Sequence, residues 1–166
     1  MSGEALLRPV ESADLSALLT LNNDAVPAVN RLDSDELAWF SEVAHTFLVA
    51  CHPEMDGQAG VLIGLEGPGL GYRSDNYMWF CERYERFIYV DRVVVAPEAW
   101  GLGLGRSLYT DFISTADGHP VLCAEVNLVP RNDRSLDFHE MFGFKPVGEQ
   151  DTEGGSKRVQ MLALEL

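Results

Sequence analysis

Three glycines at alternate positions, Gly101, Gly103 and Gly105, stand between an apolar run that stops at Pro97 and an apolar-periodic stretch that opens at Arg106. Successive backbone N–H groups with no side chains between them can converge on an anion, above all on phosphate oxygens, at the positive end of a helix. Alternating glycines let the backbone approach that anion closely. Later in the chain Asn132, Ser135 and His139 fall at i, i+3 and i+7, one polar face of a helix whose Leu136, Phe138 and Phe142 cover the apolar side. The imidazole has a reference pKa of about 6.5, within reach of acid–base work near neutrality.

Two familiar phosphate loops fail on the letters. A dinucleotide-binding fingerprint needs a glycine where Arg106 stands, and a Walker A loop needs glycine at Trp100 and lysine at Arg106. Cys123 as an acyl-carrying nucleophile is the weaker idea, because no His or acid partner stands beside it in sequence.

The elements that position these residues can be read in order. A strand is expected over residues 5–10, then a helix capped by Ser12 or Asp14 carrying Leu15, Leu18, Leu19 and Val26, and after Pro27 a helix opened by Asp33, Ser34, Asp35 and Glu36. Apolar runs over 46–51 and 60–65, separated by a turn-rich connector, predict a hairpin. Residues 67–86, with Tyr72, Tyr77, Trp79 and Tyr84, read as a long ordered aromatic loop beside a site or at a dimer contact. The β-branched run 87–95 is the central strand, the helix after the glycines covers 106–116, and a buried strand follows over 120–126. Asn132 caps a short helix that Gly143 stops, and 157–164 is the closing strand.

The 166 residues and 46% hydrophobic content suit one domain over 1–166 with a real core. A net charge of −14, from 26 acidic and 12 basic residues, argues against a nucleic-acid partner and is compatible with a cationic acceptor, although solubility alone would explain it. Three widely spaced cysteines with no metal-ligand spacing suit reduced thiols in a cytoplasmic protein, and no metal is expected. No signal-like start and no run of about 18 apolar residues occurs, so no membrane role is expected.

The stretch Val93-Val94-Val95-Ala96-Pro97 followed by Gly103-Leu104-Gly105 resembles the strand ending and acyl-CoA pyrophosphate loop of the GNAT (GCN5-related) N-acetyltransferase superfamily, with Trp100 in the position usually held by Arg or Gln. Asn132-x-x-Ser135-x-x-Phe138-His139-x-x-x-Gly143-Phe144 resembles that family's second signature, with His139 where a Tyr is common. The resemblance implies an α/β GNAT fold, a twisted mixed sheet of six or seven strands flanked by helices and splayed at the central strand. It implies acetyl-CoA (coenzyme A) as cofactor and direct acetyl transfer to an amine in a ternary complex. Val93, Val94 and Val95 would then line the pantetheine arm, Gly101, Leu102, Gly103, Leu104, Gly105 and Arg106 the pyrophosphate, and Asn132 and Ser135 the cofactor from the second helix.

The same resemblance suggests His139 as the acid for the leaving thiolate, or as a ring that only lines the channel. Asp91, on the strand face of Val93, stands where many members carry a basic Glu; the competing reading is an ion pair with Arg86 or Arg92, and Tyr89 and Glu125 could also relay a proton. A small amine or amino-acid-like acceptor is expected, with segments 22–33 and 67–86 closing over it and Asn23, Tyr77 and Glu125 in contact. A homodimer built on exposed strands or aromatics is the expected assembly. The departures at Trp100 and His139 leave a second reading open, a catalytically silent acyl-CoA-binding or regulatory module on the same fold.

Overall fold

The structure, a computed structural model, describes residues 3–166. Among the described residues lie five α-helices and a seven-stranded mixed sheet in the spatial order Leu6–Pro9 (β1), Thr46–Cys51 (β2), Gly60–Gly67 (β3), Phe87–Val95 (β4), Val121–Val129 (β5), Lys157–Glu165 (β7) and Lys145–Thr152 (β6). The chain clusters into two compact units, one running up to Leu65 and including Asp91–Thr115, the other made of Glu66–Val90 and Ala116–Leu166.

In the first unit β1 (Leu6–Pro9) pairs antiparallel with β2 (Thr46–Cys51), and β2 with β3 (Gly60–Gly67) in the register Leu48↔Leu62. The hairpin read from the two apolar runs is therefore present. Helix α1 (Leu15–Asp24) follows a 3-10 turn in which the Asp14 carboxylate accepts from the Glu11 N–H at 2.8 Å. It stops before Val26, which is exposed rather than part of the helical stripe. Helix α2 (Ser34–Val43) starts with a capping box: Asp33 accepts from the Glu36 N–H at 2.8 Å, and Glu36 returns a bond to the Asp33 N–H at 3.1 Å. Leu18, Leu37, Phe40, Val49, Leu62 and Phe112 are all buried in this unit, and the Phe112 ring occupies the space that a Cβ on Gly64 would need.

The second unit holds α3 (Asp75–Cys81), the first half of β4 (Phe87–Val95), β5 (Val121–Val129), α5 (Asp133–Phe142), β6 (Lys145–Thr152) and β7 (Lys157–Glu165). Strands β4 and β5 are parallel at Ile88↔Leu122 and Tyr89↔Cys123, while β5–β7 and β7–β6 are antiparallel. Helix α3 interrupts the segment expected as loop. Ser74 caps it, accepting from the Tyr77 N–H at 3.4 Å, and Tyr77 and Phe80 turn inward onto Phe87 and Tyr89 with ring centroids 5.6–6.1 Å apart. These aromatics are core, and burying them is the main reason the segment orders. Strand β6 has no counterpart in the sequence reading. Burial does alternate along it, but the half-buried positions of this edge strand are Gly148, Gln150 and Thr152, so no apolar alternation marks it in the sequence.

Candidate functional site

The glycine loop lies in the first unit and begins where β4 ends. Residues Val93 and Val95 are half-buried while Val94 is buried, the alternation of a strand with one accessible face. A 3-10 turn over Pro97–Ala99 then leads into Gly101 and Gly103, which take φ of 87° and 81°, in the left-handed region. A Cβ built at either glycine meets nothing within 4 Å, so they are required by backbone conformation and not by crowding. Helix α4 (Leu104–Ser114) starts directly after, with Gly103 as N-cap and no side-chain cap, and its first backbone bond is the Ser107 N–H to the Gly103 carbonyl at 3.1 Å. A helix leaves its first N–H groups without intrahelical partners, and here no side chain of the cap residue occupies them. That donor set fits a pyrophosphate. Trp100 donates its indole Nε1–H to the Val95 carbonyl at 3.0 Å and thereby ties the loop's entry to the strand end.

Asp91 and Arg92 sit one turn of strand earlier. The Asp91 carboxylate pairs with Arg92 Nε at 2.8 Å, with side chains only 3% and 7% exposed, so the ion-pair reading of Asp91 describes what the structure holds. Arg92 Nη1 also donates to Asn22 Oδ1 at 2.8 Å and to the Asn30 carbonyl at 3.0 Å, and the guanidinium lies over Phe40 at 5.5 Å. Asn23 completes the same clamp. Its Oδ1 accepts from the Leu32 N–H at 2.9 Å and its Nδ2 donates to the Leu32 carbonyl at 3.0 Å, so this side chain fastens the α1–α2 connection.

The remaining residues lie in the second unit. Asn132 caps α5, accepting from the Ser135 N–H at 3.2 Å, and Ser135 Oγ lies 3.4 Å from His139 Nδ1. His139 is 2% exposed, and its ring packs edge-on against Phe138 and Phe144 at 5.3 and 5.1 Å. Nδ1 lies 2.7 Å from the Ser135 carbonyl, which can only accept, so Nδ1 carries the proton. Burial lowers the imidazole pKa, opposed in part by that hydrogen bond, so the ring is neutral near pH 7. The helix spacing correctly placed three polar residues together; it did not show that the imidazole faces inward.

Tyr77 is fully buried, with its hydroxyl donating to the Glu66 carbonyl at 2.7 Å and its pKa pushed up to about 12 by burial. This leaves the side chain no exposed surface to offer a substrate. Glu125 differs, being half-buried. Its two oxygens each lie 2.8 Å from the Tyr89 hydroxyl, and Oε1 accepts from Asn76 Nδ2 at 3.3 Å. Asn76 Oδ1 in turn accepts from Gln150 Nε2 at 2.9 Å. Neither Asn76 nor Gln150 was found from the sequence, because three residues on three distant elements leave no local spacing to read. Cys123 is buried and its thiol pKa is driven far up by desolvation, then by the Glu125 charge, which makes it a poor nucleophile.

Comparison with known proteins places this geometry. The sequence profile of the acetyltransferase (GNAT) family matches residues 16–144. An N-acetyltransferase of Streptomyces griseus is 27% identical over 161 residues, covering 89% of this chain and 77% of that protein. Among solved structures, an acetyltransferase from Salmonella typhimurium with its cofactor acetyl-CoA superposes with a TM-score of 0.71 at 22% identity, covering 99% of this chain and 95% of the other. The ribosomal-protein-S18-alanine N-acetyltransferase of Escherichia coli gives 0.71 at 17% identity, covering 97% and 93%. With a profile spanning most of the chain and relatives of matching fold, the protein belongs to the acetyltransferase (GNAT) family.

Proposed function

We propose that this protein transfers the acetyl group of acetyl-CoA to the amine of a small, amino-acid-like acceptor by direct attack in a ternary complex. The observation that carries the reading is the pair of left-handed glycines, Gly101 and Gly103, opening α4 without a side-chain cap in a chain of this family. The acetyl-CoA seen in the Salmonella relative supports the cofactor. Val93, Val94 and Val95 would line its pantetheine arm and the backbone of 101–106 would hold its pyrophosphate, while Asn132 and Ser135 are bonded within α5 of the second unit. The thioester supplies the acyl group, and the chain's own residues bind, orient and move protons.

An amine arrives as ammonium and must lose a proton before its nitrogen bonds to the acetyl carbonyl carbon and the carbon–sulfur bond breaks. Glu125 is the group best suited to take that proton: it is a half-buried carboxylate held between the Tyr89 hydroxyl and the Asn76 amide. Asp91 is committed to Arg92. His139, neutral and held to Ser135, is assigned to shaping α5, with the leaving thiolate taking its proton from solvent. A compact acceptor is favoured because α3, which carries Asn76, is a packed helix rather than an open groove. The Escherichia coli relative acts on a protein alanine, so a peptide amine is the competing acceptor class. The reduced cysteines support a reducing compartment such as the cytoplasm, and the edge strand β6 would serve a homodimer.

The test is thiol release from acetyl-CoA against a panel of small amines and peptides with free N-termini. Turnover with small amines is expected. Release only with peptides would overturn the acceptor class, and release with none, despite tight binding, would favour the catalytically silent module that the burial of His139 also allows.

A further inference from the structure

The chain Gln150, Asn76, Glu125 links β6, α3 and β5 within the second unit, and each bond in it has a fixed sense. Gln150 Nε2 can only donate, so the atom of Asn76 it meets at 2.9 Å must be the carbonyl oxygen. The Asn76 amide is thereby turned so that its Nδ2 donates to Glu125 Oε1 at 3.3 Å. On its other side the carboxylate accepts from the Tyr89 hydroxyl at 2.8 Å. We propose that Asn76 and Gln150 are positioning residues, a two-amide relay that sets the direction in which Glu125 is hydrogen-bonded and keeps its carboxylate oriented toward an incoming ammonium. This rests on the reading of Glu125 as proton acceptor for the amine.

The relay predicts that the donor sense at residue 150 is felt at Glu125, two side chains away. Gln150→Glu replaces the donor with an acceptor, so the Asn76 amide stands between two carboxylates, and whenever it turns its NH₂ to the new one its oxygen faces Glu125. Glu125 loses a donor and gains a facing dipole of the wrong sign, which disfavours its charged form. Around Glu125 stand Tyr89 and the buried Cys123, Met161 lies opposite it on β7, and the carboxylates flanking Gln150, Glu149 and Asp151, are bound by Arg158 at 2.7 and 2.9 Å.

The experiment needs no acceptor. The carboxyl carbon of Glu125 is followed against pH by NMR in protein labelled with 13C-glutamate, its resonance assigned by loss in Glu125→Gln. Gln150→Glu should move the titration midpoint upward by about one unit. Gln150→Met, which removes the donor without adding charge, should move it upward by less. In the Asn76→Ala background Gln150→Glu should add nothing further. A midpoint unmoved by Gln150→Glu and by Gln150→Met, or an equal rise with and without Asn76, would overturn the relay, the latter by showing direct charge–charge coupling. Failure of the Glu125 reading itself is separate: it would appear as thiol release unimpaired in Glu125→Gln.

Discussion

Replacing His139 separates an acid from a packing ring. The ring is 2% exposed, wedged edge-on between Phe138 and Phe144, and bonded through Nδ1 to the Ser135 carbonyl. His139→Ala removes that volume from a closed site and should cost about 2–4 kcal/mol. At roughly 2–4 °C per kcal/mol for a chain of this size, Tm falls by about 5–15 °C. His139→Phe keeps the volume and loses chiefly one hydrogen bond, a cost of about 1 kcal/mol. The pH dependence has a definite sign. Burial lowers the folded-state pKa below the unfolded value of about 6.5, so between the two the unfolded chain binds more protons and stability rises with pH. Acidification through that window should therefore lower wild-type Tm more than that of His139→Phe. The assay pairs melting at about pH 7.5 and pH 5 with steady-state thiol release using the best acceptor found. A packing role predicts kcat for His139→Phe within about tenfold of wild type, whereas loss of a general acid costs about 10² to 10⁴. A fully folded His139→Phe protein with kcat down a hundredfold or more, and with the alkaline limb of its pH profile abolished, would refute this argument.

Arg92→Leu should destabilise by about 3–5 kcal/mol in urea unfolding, because it strands the buried Asp91 carboxylate; a cost near zero would show that the pair is not a buried one. Asp14 accepts from Arg8 at 2.7 and 2.8 Å and from Gln58 at 2.9 Å, and the Arg8 bonds above all hold its carboxyl well below the usual range. That stability is present above the unfolded pKa of about 3.9 and is lost as pH falls through the folded value, so acid should cost the wild type more Tm than it costs Asp14→Asn. Gly103→Ala forces a side chain into the left-handed region at a cost of about 1–2 kcal/mol, with no clash, and should weaken acetyl-CoA binding several-fold in a calorimetric titration. An unchanged affinity would remove this loop from the cofactor site.

Much of this was legible because the local signals were strong. The run Phe87–Val95, bounded by Pro97, has only one reasonable fate, and the acidic run Asp33–Glu36 marks the opening of a helix. Helix α3 was hidden because its aromatics among Gly and Ser look like a loop until Tyr77 and Phe80 are seen to bury. The edge strand β6 was hidden because solvent, not a core, faces most of its side chains. At the site, spacing put Asn132, Ser135 and His139 on one face but could not say which way that face turns. The partners of Glu125 depend on contacts between residues 49 and 36 positions apart in the chain, which no periodicity records.

The central claim is that the Gly101–Gly103 loop opens a pyrophosphate cradle, and titration calorimetry with acetyl-CoA tests it most directly. Saturable binding at one site per chain is expected, weakened in Gly103→Ala while that variant still melts cooperatively. No heat of binding to the folded wild-type protein at millimolar acetyl-CoA would contradict the claim.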